Sequence, residues 1–220
     1  LDLGLPGMSD VIGDRAYGDN GDCIIQLGGA FYEGFRAGGV VPVIKHLPGH
    51  GRAKVDSHNA LPVVDTDLDT LEATDFVPFR ALSSALMGMT AHIVYSALDG
   101  AQVSTLSRVV VKDIIRDSIG FDGLLMTDDL SMKALSGDFV ERTEKALAAG
   151  CDIILHCNGD RDEMAAIASV LPQNMSGKTA ERAARVEAEI SCLSSRVDEK
   201  TQKRWGELVG HVFPEAKNTV

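Results

Sequence analysis

Short apolar runs alternate with longer amphipathic stretches along this chain. "GVVPVIKHLPG" (39–49), "LMGMTAHIVYS" (86–96), "DGLLMTDDLS" (122–131) and "CDIILHCNG" (151–159) are apolar runs that each end in polar residues. Continuous runs of this length suit strands buried on both faces, as in a parallel sheet. Between them the spacing becomes helical. Residues 20–37 carry Ile24, Leu27, Phe31 and Phe35 on one helical stripe, and residues 67–82 carry Leu68, Leu71, Phe76 and Phe79 behind an acidic start. Residues 106–119 and 139–149 are followed by Gly120 and Gly150, which are helix-stop signals. Residues 160–171 run up to Pro172, residues 178–197 are rich in Ala, Glu and Arg, and "TQKRWGELVGHVF" predicts a last short helix.

The order strand–helix, repeated, predicts an α/β fold with a parallel sheet. Polar residues recur just past the apolar runs: Lys45 and His46, His92, Asp128 and Asp129, Asn158. Chemistry gathered at the C-terminal ends of several strands is the geometry of a (β/α)8 TIM barrel. A doubly wound sheet would gather it at one switch point, and no GxGxxG or GxxxxGK(S/T) stretch is present. The start, "LDLGLPG", reads as a strand end entered in mid-fold, so the expected barrel lacks its N-terminal strands here.

The chain has 220 residues, 45% hydrophobic and 24% charged, which fits one domain with one sizeable core. Its net charge of -11 argues against nucleic acid and against a polybasic membrane contact. No apolar run approaches a membrane span. Cys23, Cys151, Cys157 and Cys192 form no C-x-x-C pair; they read as small buried residues of a reduced compartment, which favours the cytoplasm.

Each polar cluster has a chemical and a plain reading. Asp128, past an apolar run, is placed for nucleophilic or acid–base work; strand alternation would send Asp129 to the other side. The plain reading is capping of the segment that follows. Lys45 and His46 can donate to sugar hydroxyls or a carboxylate, or make an ordinary ion pair and rim hydrogen bond. Asp56 and His58, one residue apart, allow a carboxylate to orient an imidazole for proton transfer, or form a solvated loop. His46, His50, Asp56 and His58 also supply metal-type ligands, but without a tight zinc spacing and with Lys45 beside them to repel a cation.

Taken together, "VIGDRAYG", "KHLPGHGRAKVDSH", "MTAHIVYSALD" and "GFDGLLMTDDLSM" resemble the signatures of glycoside hydrolase family 3, in the family's order. They are most similar to its branch of bacterial cytoplasmic β-N-acetylglucosaminidases. The resemblance implies residues 1–220 as the C-terminal portion of one catalytic barrel domain, with 176–220 as terminal helices closing or flanking it. It implies Asp128 as nucleophile, His58 as acid/base with Asp56 as partner, Arg15, Lys45 and His46 as sugar-binding residues, and His92 as a pocket-lining residue. The family's sugar-binding acid nearer the N-terminus finds no counterpart. The implied reaction is retaining hydrolysis of terminal β-linked GlcNAc from muropeptides, GlcNAc-anhydroMurNAc included, during peptidoglycan recycling, with no cofactor and no metal. A full-length chain is expected to be a monomer; one lacking strands is expected to need a complementary fragment or self-association. A metal-dependent barrel hydrolase and an inactive sugar-binding fragment are the alternatives.

Overall fold

The computed structural model describes residues 1–55, 61–192 and 199–212. Its architecture is α/β with parallel strands. Helix α1 (Gly21–Ala37) leads to strand β1 (Val43–Leu47), a short strand β2 (Val63–Val64), and helices α2 (Leu68–Ala73) and α3 (Val77–Ala81). Strands β3 (Met87–Thr90) and β4 (Val94–Tyr95) and a one-turn helix α4 (Ser96–Asp99) follow. A π-helix (Val109–Ser118) precedes strand β5 (Leu124–Met126), and helices α5 (Phe139–Ala149), α6 (Arg161–Val170), α7 (Gly177–Cys192) and α8 (Glu199–Val212) complete the described chain.

β1, β3 and β5 form one sheet in that order, all parallel, so each helical crossover moves the chain one strand along. β2 and β4 pair separately, also in parallel, each just beyond the sheet strand that precedes it. The fourth apolar run does not form a strand. It meets β5 through a single parallel bridge, Ile153 to Met126, although Thr127 still donates its amide to the Ile153 carbonyl at 3.0 Å. β1 contains two cis peptide bonds, Lys45–His46 and Leu47–Pro48, and its pairing with β3 changes register between Ile44 and Leu47.

Side chains from the helices close over the sheet. Leu47, Phe76, Phe79, Ile93, Ile115, Phe121 and Leu125 are fully buried in one cluster. The single helix expected over 67–82 is broken in two. Asp67 caps α2 by accepting from the Thr70 amide, and the chain leaves helical geometry at Thr74. Pro78 near the start of α3 explains the restart: it lacks the amide that would extend α2. The helix over 106–119 is of π type, with the Ile119 amide donating to the carbonyl of Ile114. Gly150 ends α5 at φ 114°, a left-handed conformation that needs no Cβ.

The helix expected over 20–37 forms as α1; Ile24 is buried in it, while Leu27, Phe31 and Phe35 lie 44%, 55% and 48% exposed, so most of the stripe faces away from the described core. One expectation is corrected. Of the cysteines only Cys151 is buried; Cys23 is half-buried and Cys157 and Cys192 are exposed, because they sit on helices and a loop outside the sheet. No helix among the described residues is long and apolar enough to cross a membrane.

The start of β5 is held by charge. The buried Asp152 carboxylate accepts from Arg116 at 2.8 Å, from the Leu125 amide at 2.9 Å, from Arg182 at 3.1 Å and from Thr179 at 2.5 Å. Arg116 also donates to the carbonyls of Phe121 and Gly123. Removing one partner of a buried pair leaves the other charge uncompensated. Asp152→Ala is therefore expected to cost about 3 kcal/mol, read from the urea midpoint. A loss below about 0.5 kcal/mol, the size of an ordinary surface substitution, would contradict this account.

Candidate active site

The C-terminal end of β1 carries the first half of the site. His46 is buried, and its Nδ1 lies 2.7 Å from Oδ2 of Asp2. The same carboxylate accepts from the backbone amides of His46 at 3.2 Å and His50 at 2.7 Å. Burial by itself would push the Asp2 carboxyl up. His46, by charge and hydrogen bond, and the amino terminus of Leu1 outweigh burial and hold it well below the usual carboxylate range. Residues 1–4 must lie close for this. A Cβ on Gly51 would stand 2.2 Å from the Leu3 carbonyl oxygen, so Gly51 permits this close approach. Asp2 and His50 were not among the site residues expected from the sequence. A buried carboxylate such as Asp2 has no periodic signal, and the sequence presents His50 only as a metal-type ligand.

The turn after β1 is pinned from below. Arg52 donates to Asp75 at 2.7 Å and to Thr74 at 3.0 Å, and the Tyr95 hydroxyl donates to the Gly49 carbonyl. Asp56 and His58 lie outside the described residues.

The end of β5 carries the second half. Asp128 is half-buried; its amide donates to Thr90 Oγ1 at 3.3 Å and its Oδ1 accepts from the Asp129 amide at 2.8 Å. Asp129 is engaged differently. Its carboxylate accepts from the Ser131 amide at 3.0 Å, the Ser131 hydroxyl at 2.5 Å and the Cys157 amide at 3.0 Å. Burial opposes ionisation of Asp129, but these donors, with a contribution from His156, hold its pKa low. The capping role thus falls to Asp129, which closes a turn rather than a helix. Both acids lie past the end of β5, so strand alternation does not separate them.

His92 is fully buried, and both ring nitrogens are engaged: Nδ1 with Thr105 Oγ1 at 2.8 Å and Nε2 with the Asp129 carbonyl at 3.0 Å. The carbonyl can only accept, so Nε2 carries a proton and donates it. Its imidazole braces the Asp128–Asp129 turn. Arg15 is exposed on a 3-10 turn (Gly13–Arg15), with a guanidinium nitrogen on the Val11 carbonyl. Arg15 and Lys45 both act electrostatically on the amino terminus of Leu1, and Lys45, Asp128 and Asp129 all act on the Cys157 thiol. His50 and His92 both feel the charge of Asp128. Lys45, His46, His92 and Asp128 thus lie at the C-terminal ends of neighbouring strands of one sheet, while Arg15 stands on its exposed turn. Among the described residues, no group of three His, Cys, Asp or Glu side chains is arranged to hold a metal ion.

The chain belongs to glycosyl hydrolase family 3: residues 3–190 match the family's N terminal domain. It is 41% identical over 166 residues to a beta-hexosaminidase of Chromobacterium violaceum, covering 74% of this chain and 46% of that protein. Among solved structures it resembles a family 3 beta-N-acetylglucosaminidase from Paenibacillus sp. at TM-score 0.78 and 30% identity, covering 91% of this chain and 43% of that one. NagZ from Neisseria gonorrhoeae, in complex with N-trifluoroacetyl-D-glucosamine, is similar at TM-score 0.77 and 34% identity, over 92% of this chain and 57% of that one. The chain spans about half the length of such relatives.

Burial lowers the pKa of His50 and His92 below the ordinary 6.5, outweighing nearby acids, so both are neutral in the fold. An unfolded chain takes up protons below about pH 6.5 that these two refuse, so stability falls as pH drops through that window. Asp2, ionised to far lower pH, contributes nothing to the change there. The melting temperature is expected to fall by a few degrees between about pH 7.5 and pH 5.5, and His92→Gln to flatten the slope. A slope unchanged by His92→Gln would show that this imidazole is not held neutral.

Proposed function

We propose that this chain carries the reaction centre of a retaining exo-β-N-acetylglucosaminidase built on a (β/α)8 barrel. The observation that carries the reading is Asp128. It stands at the end of a parallel strand, steadied by one amide, while its neighbour Asp129 is committed to three donors. Family membership, the beta-hexosaminidase relative and the amino-sugar complex of NagZ support the substrate class. The sequential parallel order of β1, β3 and β5 supports the barrel.

In the first step, a carboxylate oxygen of Asp128 bonds to the anomeric carbon. The glycosidic C–O bond breaks, and protonated His58, partnered by Asp56, gives its proton to the leaving oxygen. In the second step, neutral His58 takes a proton from water, the water oxygen bonds to the anomeric carbon, and the bond to Asp128 breaks. Arg15, Lys45 and His46 bind the sugar. Asp2 keeps His46 oriented, and His92 fixes the turn that presents Asp128. Terminal GlcNAc on muropeptides, GlcNAc-anhydroMurNAc included, is the proposed substrate, in cytoplasmic cell-wall recycling. The catalytic domain runs through residues 1–220, with the helices of 176–220 flanking the barrel.

The test is intact mass and peptide mapping after incubation with a fluorinated, mechanism-based N-acetylglucosamine donor. A sugar adduct on Asp128 is expected, with turnover of Asp128→Asn reduced at least about a thousandfold. An adduct on Asp129 would move the nucleophile by one residue. Activity abolished by a chelator and restored by a divalent metal would replace this reading with metal-dependent hydrolysis.

A further inference from the structure

His156 has no part in the reaction proposed above, yet its surroundings are unusual. Its side chain is only 7% exposed, and its Nε2 lies 2.6 Å from Glu163 Oε2. The edge of Phe139 packs against it, ring centroids 5.6 Å apart at 75°. Its Nδ1 is buried and has no hydrogen-bond partner among the described residues. A buried polar atom without a partner is costly, and an apolar side chain of similar size would avoid the cost. The bond to Glu163 is therefore the feature that distinguishes histidine from an apolar residue here.

The place of that bond shows what it does. Glu163 lies in the first turn of α6 and also accepts from Asn158 Nδ2 at 2.7 Å, while Asn158 Oδ1 accepts from the Asp160 amide at 2.8 Å. Residues 156–160 are thereby tied to the start of α6. The two residues flanking His156 reach the other way. The Leu155 carbonyl accepts from the Leu130 amide at 3.0 Å, and the Cys157 amide donates to Asp129 Oδ1 at 3.0 Å. The Asp129 amide in turn donates to Asp128 Oδ1 at 2.8 Å. One line of bonds thus runs from α6 through Glu163, His156 and the Cys157 amide to Asp129, and from there to Asp128.

We propose that His156 and Glu163 are a positioning pair for Asp128, fixing the 155–158 turn so that its amide and carbonyl hold the Asp128–Asp129 turn in place. This rests on the reading of Asp128 as the nucleophile. The pair touches no substrate; it acts by limiting how far Asp128 moves from its attacking position, where small displacements cost rate.

Two measurements on the same variants test it. Backbone hydrogen exchange needs no turnover: His156→Ala and Glu163→Ala are each expected to speed exchange of the Cys157 and Leu130 amides about tenfold. In hydrolysis of an aryl β-N-acetylglucosaminide, each is expected to lower kcat about tenfold, with KM within about twofold. The double variant should lose about as much as Glu163→Ala alone rather than a hundredfold, because the bond His156 makes is one of the two that Glu163 accepts. Glu163→Gln, which keeps an acceptor at a partly exposed site, should stay within about threefold of wild type. Unchanged exchange at Cys157 would overturn the proposal, as would faster exchange with unaltered kcat or additive losses in the double variant. A wild-type protein that is neither labelled by the fluorinated donor nor hydrolytic would instead overturn the glycosidase reading. The exchange result tells the two failures apart.

Discussion

Much of this site depends on one buried carboxylate. Asp2 accepts from two backbone amides and an imidazole, and so fastens the first residues of the chain to the end of β1. A buried charge is tolerated only when paired and hydrogen-bonded, and Asp2 meets both conditions. His46 gains a fixed ring orientation, and the amide of His50 is drawn toward the same point. Gly51 follows from this arrangement, since a side chain there would displace the segment that carries Asp2.

Across the sheet mouth the two adjacent acids divide their tasks. Asp129 is occupied by Ser131 and by the amide of Cys157, while His92 holds its carbonyl from the opposite side. Asp128 keeps one oxygen on a neighbouring amide and remains half-buried. Of the two carboxylates in this turn, that of Asp129 meets three donors and that of Asp128 one. The rigidity comes from hydrogen bonds, since the segment after β5 is neither strand nor helix.

Most of the secondary structure was legible because it follows from periodicity. The strand cores at β1, β3 and β5 and the helices α5 and α6 fall where the apolar spacing places them. The misses have physical causes. Pro78 divides a stripe whose spacing looks continuous, and one bridge at Ile153 replaces a whole strand. Periodicity shows that Leu27, Phe31 and Phe35 share a face but not what that face meets. At the site, Lys45, His46, His92 and Asp128 were legible as polar residues past apolar runs. Asp2, His50 and the His156–Glu163 pair were not, because their partners lie 44, 48 and 7 residues away and the linking bonds leave no mark on spacing. The bonds of both His92 nitrogens to protein atoms are likewise invisible in the spacing.

The clamp around Asp152 has an implication of a different kind. It grips the beginning of β5, whereas Asp128, the proposed nucleophile, stands past the end of the same strand, so the anchorage and the candidate site occupy opposite rims of one sheet. The segment 152–157 touches both rims, with Asp152 at the beginning of β5 and the Cys157 amide on Asp129 past its end. A keel and a working edge are thus joined by one short stretch of backbone, and a shift at either is felt by the other.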